Sequence, residues 1–93
     1  MKIVLKNQLN EMSDNELEEI LRRDYLRRLV RYRMINDFYE KKYTMDFQSF
    51  EKSNMVEKHN YSYEVESDAQ QWELAIDGIS TVERKMRELA GEN

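Results

Sequence analysis

The sequence predicts an all-α fold, an elongated antiparallel helical hairpin with coiled-coil character and a short helix between its arms. Three observations predict it. Trp72, Ala75, Ile79, Val82, Met86 and Leu89 recur at steps of three and four, which keeps one narrow stripe of a helix facing another helix. A second run, from Ser13 to about Lys42, contains no helix breaker and carries apolar residues at roughly 3.6-residue period. Proline is absent and Gly78 and Gly91 are the only glycines, whereas the many turns of a β-rich fold recruit both.

Ninety-three residues suit a single helical domain spanning 1–93. Residues 1–12 form an N-terminal arm, in which Ile3-Val4-Leu5 reads as a short strand, a frayed end or a lead-in. A lone strand there would need pairing from elsewhere, most simply the same strand of a second copy. Ser13-Asp14-Asn15-Glu16 is a capping box that opens the long helix, 13–43. Met12 and Leu17 flank it as a hydrophobic staple, and the acids of the first turn suit the positive end of the dipole. The broad face of this helix is Leu17, Ile20, Leu21, Tyr25, Leu29, Tyr32, Ile35, Phe38, Tyr39 and Tyr43. Leu26, Val30 and Met34 form a second, smaller strip on another side. Glu18–Arg22, Glu19–Arg23 and Asp24–Arg28 fall at i,i+4 in the favourable order.

Thr44 reads as the cap of a short helix over 44–52 bearing Met45, Phe47 and Phe50. Residues 53–66 are polar with Tyr61, Tyr63 and Val65 alternating, which predicts an extended connection. Ser67-Asp68-Ala69-Gln70 is a second capping box, opening a C-terminal helix over 67–90 that Gly91 terminates. The stripe from Trp72 to Leu89 is expected to pack on Leu17, Leu21, Tyr25, Tyr32, Ile35 and Tyr39. The length of the first helix sets a condition on this packing. About thirty residues at a 1.5 Å rise extend roughly 45 Å, whereas a compact chain of this size has a diameter of only about 30 Å. The long helix therefore protrudes, breaks, or is completed by another chain.

The charge pattern and residue inventory narrow the chemistry. The net charge is −4, with charged residues at 37% and apolar residues at 40%. Ser13–Leu21 holds four acids and no base, while Arg22–Arg33 holds six arginines against Asp24 alone. There is no cysteine, so disulfides and thiolate chemistry are excluded. His59 is the single histidine and lies in a polar stretch, which prevents a two-histidine metal motif or a histidine–nucleophile pair within one chain. No glycine-rich phosphate cradle is present. No enzyme activity, catalytic residue, cofactor or metal is expected. The apolar run at Ile3-Val4-Leu5 is too short for a signal peptide or membrane span, so a cytoplasmic location is the default expectation.

Arg22, Arg23, Arg27, Arg28, Arg31 and Arg33 surround the helix axis instead of lining one exposed stripe. They read as a solvated face with stems covering apolar surface, as a dock for an acidic segment such as residues 57–68 of this or another copy, or as a nucleic-acid contact. The acidic isoelectric point of 5.1 weighs against the last. The surplus apolar residues Leu26, Val30, Met34 and Ile76 point to a dimer or a complex with another protein. The residues expected to bind a partner are Arg27, Val30, Arg31, Met34 and Ile76.

Tyr43, Met45, Phe47 and Phe50 form a Tyr-x-Met-x-Phe-x-x-Phe segment. Tyr63-Glu64-Val65-Glu66-Ser67-Asp68 follows, then Trp72-Glu73 and Ala75. Across residues 43–75, about a third of the chain, this resembles small helical prokaryotic antitoxin-like proteins with a Trp-Glu signature on the last helix, encoded beside toxins. The resemblance implies a helical protein that binds and neutralises a partner toxin, and it transfers no catalytic residues. The leading expectation is thus a non-enzymatic protein-binding module, antitoxin-like, holding a protein partner, a second copy of itself, or both. The rivals are a self-assembling structural coiled coil and a nucleic-acid-binding regulator using Arg22–Arg33 with a ribbon over residues 2–5.

Overall fold

The structure, a computed structural model, describes residues 11–91 and is an all-α helical hairpin. Its elements are α1 (Asp14–Tyr43), α2 (Phe47–Lys52), α3 (Met55–Lys58) and α4 (Tyr63–Leu89). Most of the predicted arm at 1–12, with its strand or ribbon, lies outside the described residues.

Helix α1 starts and holds together as its sequence dictates. The Ser13 hydroxyl accepts from the Glu16 N–H at 3.1 Å, the serine half of the capping box. The glutamate half does not form among the described residues. Asp14 and Glu16 sit in the first turn and Lys41 and Lys42 in the last, matching the helix dipole at both ends. All three expected pairs form: Arg22–Glu18 at 2.9 Å, Arg23–Glu19 at 3.1 Å and Arg28–Asp24 at 3.0 Å. Each is solvent-exposed, so each contributes about 0.3–0.5 kcal/mol at most.

The end of α1 differs from the expected one. Thr44 does not cap the next helix; it ends α1 in the left-handed region, φ 58°, donating its N–H to the Glu40 carbonyl. An N-cap needs extended backbone. That conformation falls two residues later at Asp46, whose Oδ1 accepts from Ser49 N at 2.8 Å and opens α2.

Residues 53–66 are compact where an extended connection was expected. Asn54, Asn60 and Tyr61 all take positive φ near 55°, reversing the chain around α3 without a glycine. Asparagine tolerates this region better than most L-residues. Ser62 then returns to extended ψ, and its hydroxyl accepts from Val65 N at 3.3 Å. The last helix therefore begins at Tyr63, not at Ser67. The apparent alternation of Tyr61, Tyr63 and Val65 joins unlike environments. Tyr61 is in a turn, Tyr63 is exposed, and Val65 is buried seven residues before Trp72 on the same helix face. Gly91, at φ +80°, follows the last turn as expected.

Cross-helix partners give the direction of pairing. Lys42 reaches Glu64 and Asp68, Asn36 reaches Trp72, Tyr32 lies over Gly78, and Arg33 meets Glu83. From Lys42 through Asn36 to Tyr32 and Arg33 the α1 positions fall while their α4 partners rise from 64 and 68 through 72 to 78 and 83, so the arms are antiparallel. From the predicted stripe, Trp72, Ala75 and Val82 are buried, and Ile79, Met86 and Leu89 are half-buried. Opposite them, Leu29 is buried and Tyr25, Tyr32, Ile35 and Tyr39 are half-buried. Leu21, expected in that seam, is exposed, as are Ile20 and Phe38 of the predicted broad face. The molecule measures 56 × 32 × 19 Å with a radius of gyration of 18.3 Å, so the long helix keeps a large uncovered side.

The tightest packing is at the closed end. Trp72 is fully buried and has four aromatic neighbours: Phe50 at 5.0 Å, Phe47 at 5.3 Å, Tyr39 at 5.7 Å and Tyr43 at 5.9 Å between ring centroids. Each such pair adds about 0.5–1.5 kcal/mol beyond area burial. Phe50 and Val65 complete the buried cluster, with Met45, Met55, Val56, Ala69 and Ile76 packed around it. The Trp72 indole N–H donates to Asn36 Oδ1 at 2.8 Å, and Asn36 Nδ2 donates in turn to Glu40 at 2.7 Å. A buried indole N–H left without that acceptor would cost about 1–3 kcal/mol.

Candidate functional site

Leu26, Val30, Met34 and Phe38 are each four residues apart on α1. A step of four advances about 40° around the helix and 6 Å along it, so the four side chains make one oblique ridge roughly 18 Å long. Their exposures are 44, 57, 67 and 61%. The ridge faces away from α4, because Leu29, Tyr32, Asn36 and Tyr43 on the opposite side of α1 supply the contacts with that helix. Isolated exposed apolar residues need no explanation, but a contiguous ridge does.

Arginines border this ridge. Arg23, Arg27 and Arg31 form the adjoining row at the same spacing. Four of the six arginines in the block are engaged within the chain: Arg22, Arg23 and Arg28 with acids one turn earlier, and Arg33 with Glu83 at 3.6 Å. Among the described residues, Arg27 and Arg31 make no ion pair. Within the chain, two acids of the segment considered for this block, Glu64 and Asp68, hold Lys42.

Of the five residues expected to bind a partner, Arg27, Val30, Arg31 and Met34 come together on this face. Ile76 does not join them; it lies on α4, half-buried against the Trp72 cluster. Phe38 belongs to the ridge, although the apolar period of α1 assigns it to the main face. The signal was the unbroken four-residue step from Leu26, which outweighs nearness to Tyr39.

The titratable groups at the closed end bond across the two arms. The Asp68 carboxylate accepts from Lys42 Nζ at 2.5 Å and from the Tyr43 hydroxyl at 2.6 Å, and Lys42 also donates to Glu64 at 2.9 Å. Hydrogen bonds to Asp68 and Glu64 hold the Lys42 ammonium protonated well above its ordinary range. Burial, with the bond to Asp68, pushes the Tyr43 phenol up to about 12. Burial also raises Tyr39, while the bond from Ser49 lowers Asp46. The cluster ties the end of α1 to the first turns of α4.

Two other features complete the surface. A groove of about 260 Å³ lies between α2, α3 and α4, walled by Phe47, Met55, Val56, Tyr61, Ala69 and Glu73. Among the described residues no three His, Cys, Asp or Glu side chains are grouped to hold a metal ion, and His59 is exposed beyond α3. No helix among them is long and apolar enough to cross a membrane. No protein-family model, curated protein or solved structure matches the chain.

Proposed function

We propose that this chain is a non-enzymatic protein-binding module that holds a protein partner on the outer face of α1. The observation that carries this reading is the ridge Leu26-Val30-Met34-Phe38, exposed along its length and bordered by Arg27 and Arg31. Apolar side chains flanked by arginine are the composition of a protein interface, where arginine and large apolar groups dominate the binding energy. A phosphate-tracking surface would instead gather cations, and here intrachain acids engage most of them. For a partner other than a second copy, the antitoxin-like resemblance adds a specific form: a protein whose activity is suppressed while it is held. A cytoplasmic site of action belongs to the same proposal.

Photo-cross-linking in cells tests it. A benzophenone side chain at Val30 is expected to give a covalent protein adduct, which Met34→Glu in the same chain removes. The same group at Glu73, exposed on α4, is the control and gives none. No adduct from Val30 overturns the proposal.

A further inference from the structure

We infer that the occupant of this face is a second copy of the chain, its α1 laid antiparallel on the first with Val30 on the twofold axis. The inference rests on the protein-binding reading above and names the partner. It comes from the order of residues along the outer face. Glu19, Arg23, Leu26, Val30, Met34, Asp37 and Lys41 all lie within about 40° of one line down α1. Their steps of three and four are those of a helix–helix seam.

This line reads as its own complement about Val30. Leu26 and Met34 stand four residues to either side of Val30, Arg23 and Asp37 seven, Glu19 and Lys41 eleven. Under twofold symmetry a residue that meets another is met by it in return. An antiparallel second copy therefore sets Val30 on Val30 and Leu26 beside Met34. It also sets Arg23 against Asp37 and Glu19 against Lys41, each twice. Glu19 and Arg23 already bridge at 3.1 Å within one chain. At each end of the seam the four charges therefore alternate in sign around a square. Ile20 and Phe38, exposed on one flank, come beside each other across the axis. A parallel arrangement would instead face every charge with its own kind, which is unfavourable. Arg27 and Arg31 of both copies fall on the same flank as Ile20 and Phe38, and their like charges oppose the pairing there. The effect is eased because the long stems cover the flank's apolar surface and carry the guanidinium groups outward into solvent.

The absence of cysteine in the chain gives the test a clean background. Under mild oxidation Val30→Cys is expected to become a disulfide-linked dimer of twice the 11.4 kDa chain mass. Leu26→Cys or Met34→Cys alone is expected to stay unlinked, and the two mixed are expected to link to each other. Without oxidation, Arg23→Asp and Asp37→Arg are each expected to weaken dimerisation at least tenfold. Both together are expected to restore it to within about threefold, the result only antiparallel self-pairing gives. Self-linkage of Leu26→Cys, or no rescue by the double variant, overturns the inference. If Val30→Cys stays unlinked while a benzophenone at Val30 captures a different protein, the second copy is wrong and the protein-binding reading stands. If neither happens, both fall.

Discussion

Gly78 makes room for Tyr32. A Cβ at position 78 would lie 2.5 to 2.7 Å from three carbons of the Tyr32 ring, closer than any side chain tolerates. The glycine in the middle of α4 is therefore a seat for an aromatic side chain of α1, and it sets how closely the two arms approach.

Helix propensity and packing make opposite predictions for Gly78→Ala. Alanine gains about 1 kcal/mol in a helix interior, while forcing an extra carbon into a packed seam costs about 1–3 kcal/mol. The Tyr32 ring lies between two helices and cannot swing clear cheaply, so the net expectation is a loss of about 1 kcal/mol. In a Tyr32→Ala background the same substitution is expected to stabilise. A double-mutant cycle by urea unfolding, followed on the single tryptophan, measures both.

Stability is expected to fall at alkaline pH because of the closed-end cluster. The folded Tyr43 phenol sits near 12 against an ordinary value of 10.0. The folded state thus keeps a proton that the unfolded chain releases. This contribution is fully present below pH 10 and is lost as pH rises towards 12. Lys42, also raised, acts in the same direction above its ordinary 10.5. The urea midpoint should be flat from pH 7 to 9 and drop between 10 and 12. Tyr43→Phe should lessen that drop.

The caps separate what was legible in the sequence from what was not. Ser13 was legible because a serine, an acid three residues on and an apolar periodicity coincide. The start of α4 was not, because Ser62 and Ser67 both precede suitable residues, and Tyr61, Tyr63 and Val65 imitate a strand over three positions. What decides is tertiary: Val65 must be helical to join Trp72 in the core. Ser62→Ala is expected to cost about 1 kcal/mol and Ser67→Ala much less, measured by thermal melting.

The seam residues were likewise legible in α4, whose stripe is narrow, and less so in α1. There the apolar positions are spread around much of the helix, and periodicity alone cannot tell which side α4 covers. Leu26, Val30 and Met34 stood out as surplus. Phe38 and Ile20 did not, because the spread of apolar positions drew them into the broad face. The turns at Thr44, Asn54 and Asn60 carry no glycine; asparagine at 54 and 60 is a weaker signal of left-handed backbone, and threonine at 44 gives none.

The division of α1 into a folding face and a binding face is tested most directly by Val30→Glu with Met34→Glu. Sedimentation and thermal melting are measured on the same sample. The double variant is expected to keep its helical spectrum and a cooperative melt, lowered only by the loss of association, while sedimenting as a monomer at concentrations where the parent is associated. A double variant that unfolds, or that associates as the parent does, would contradict it.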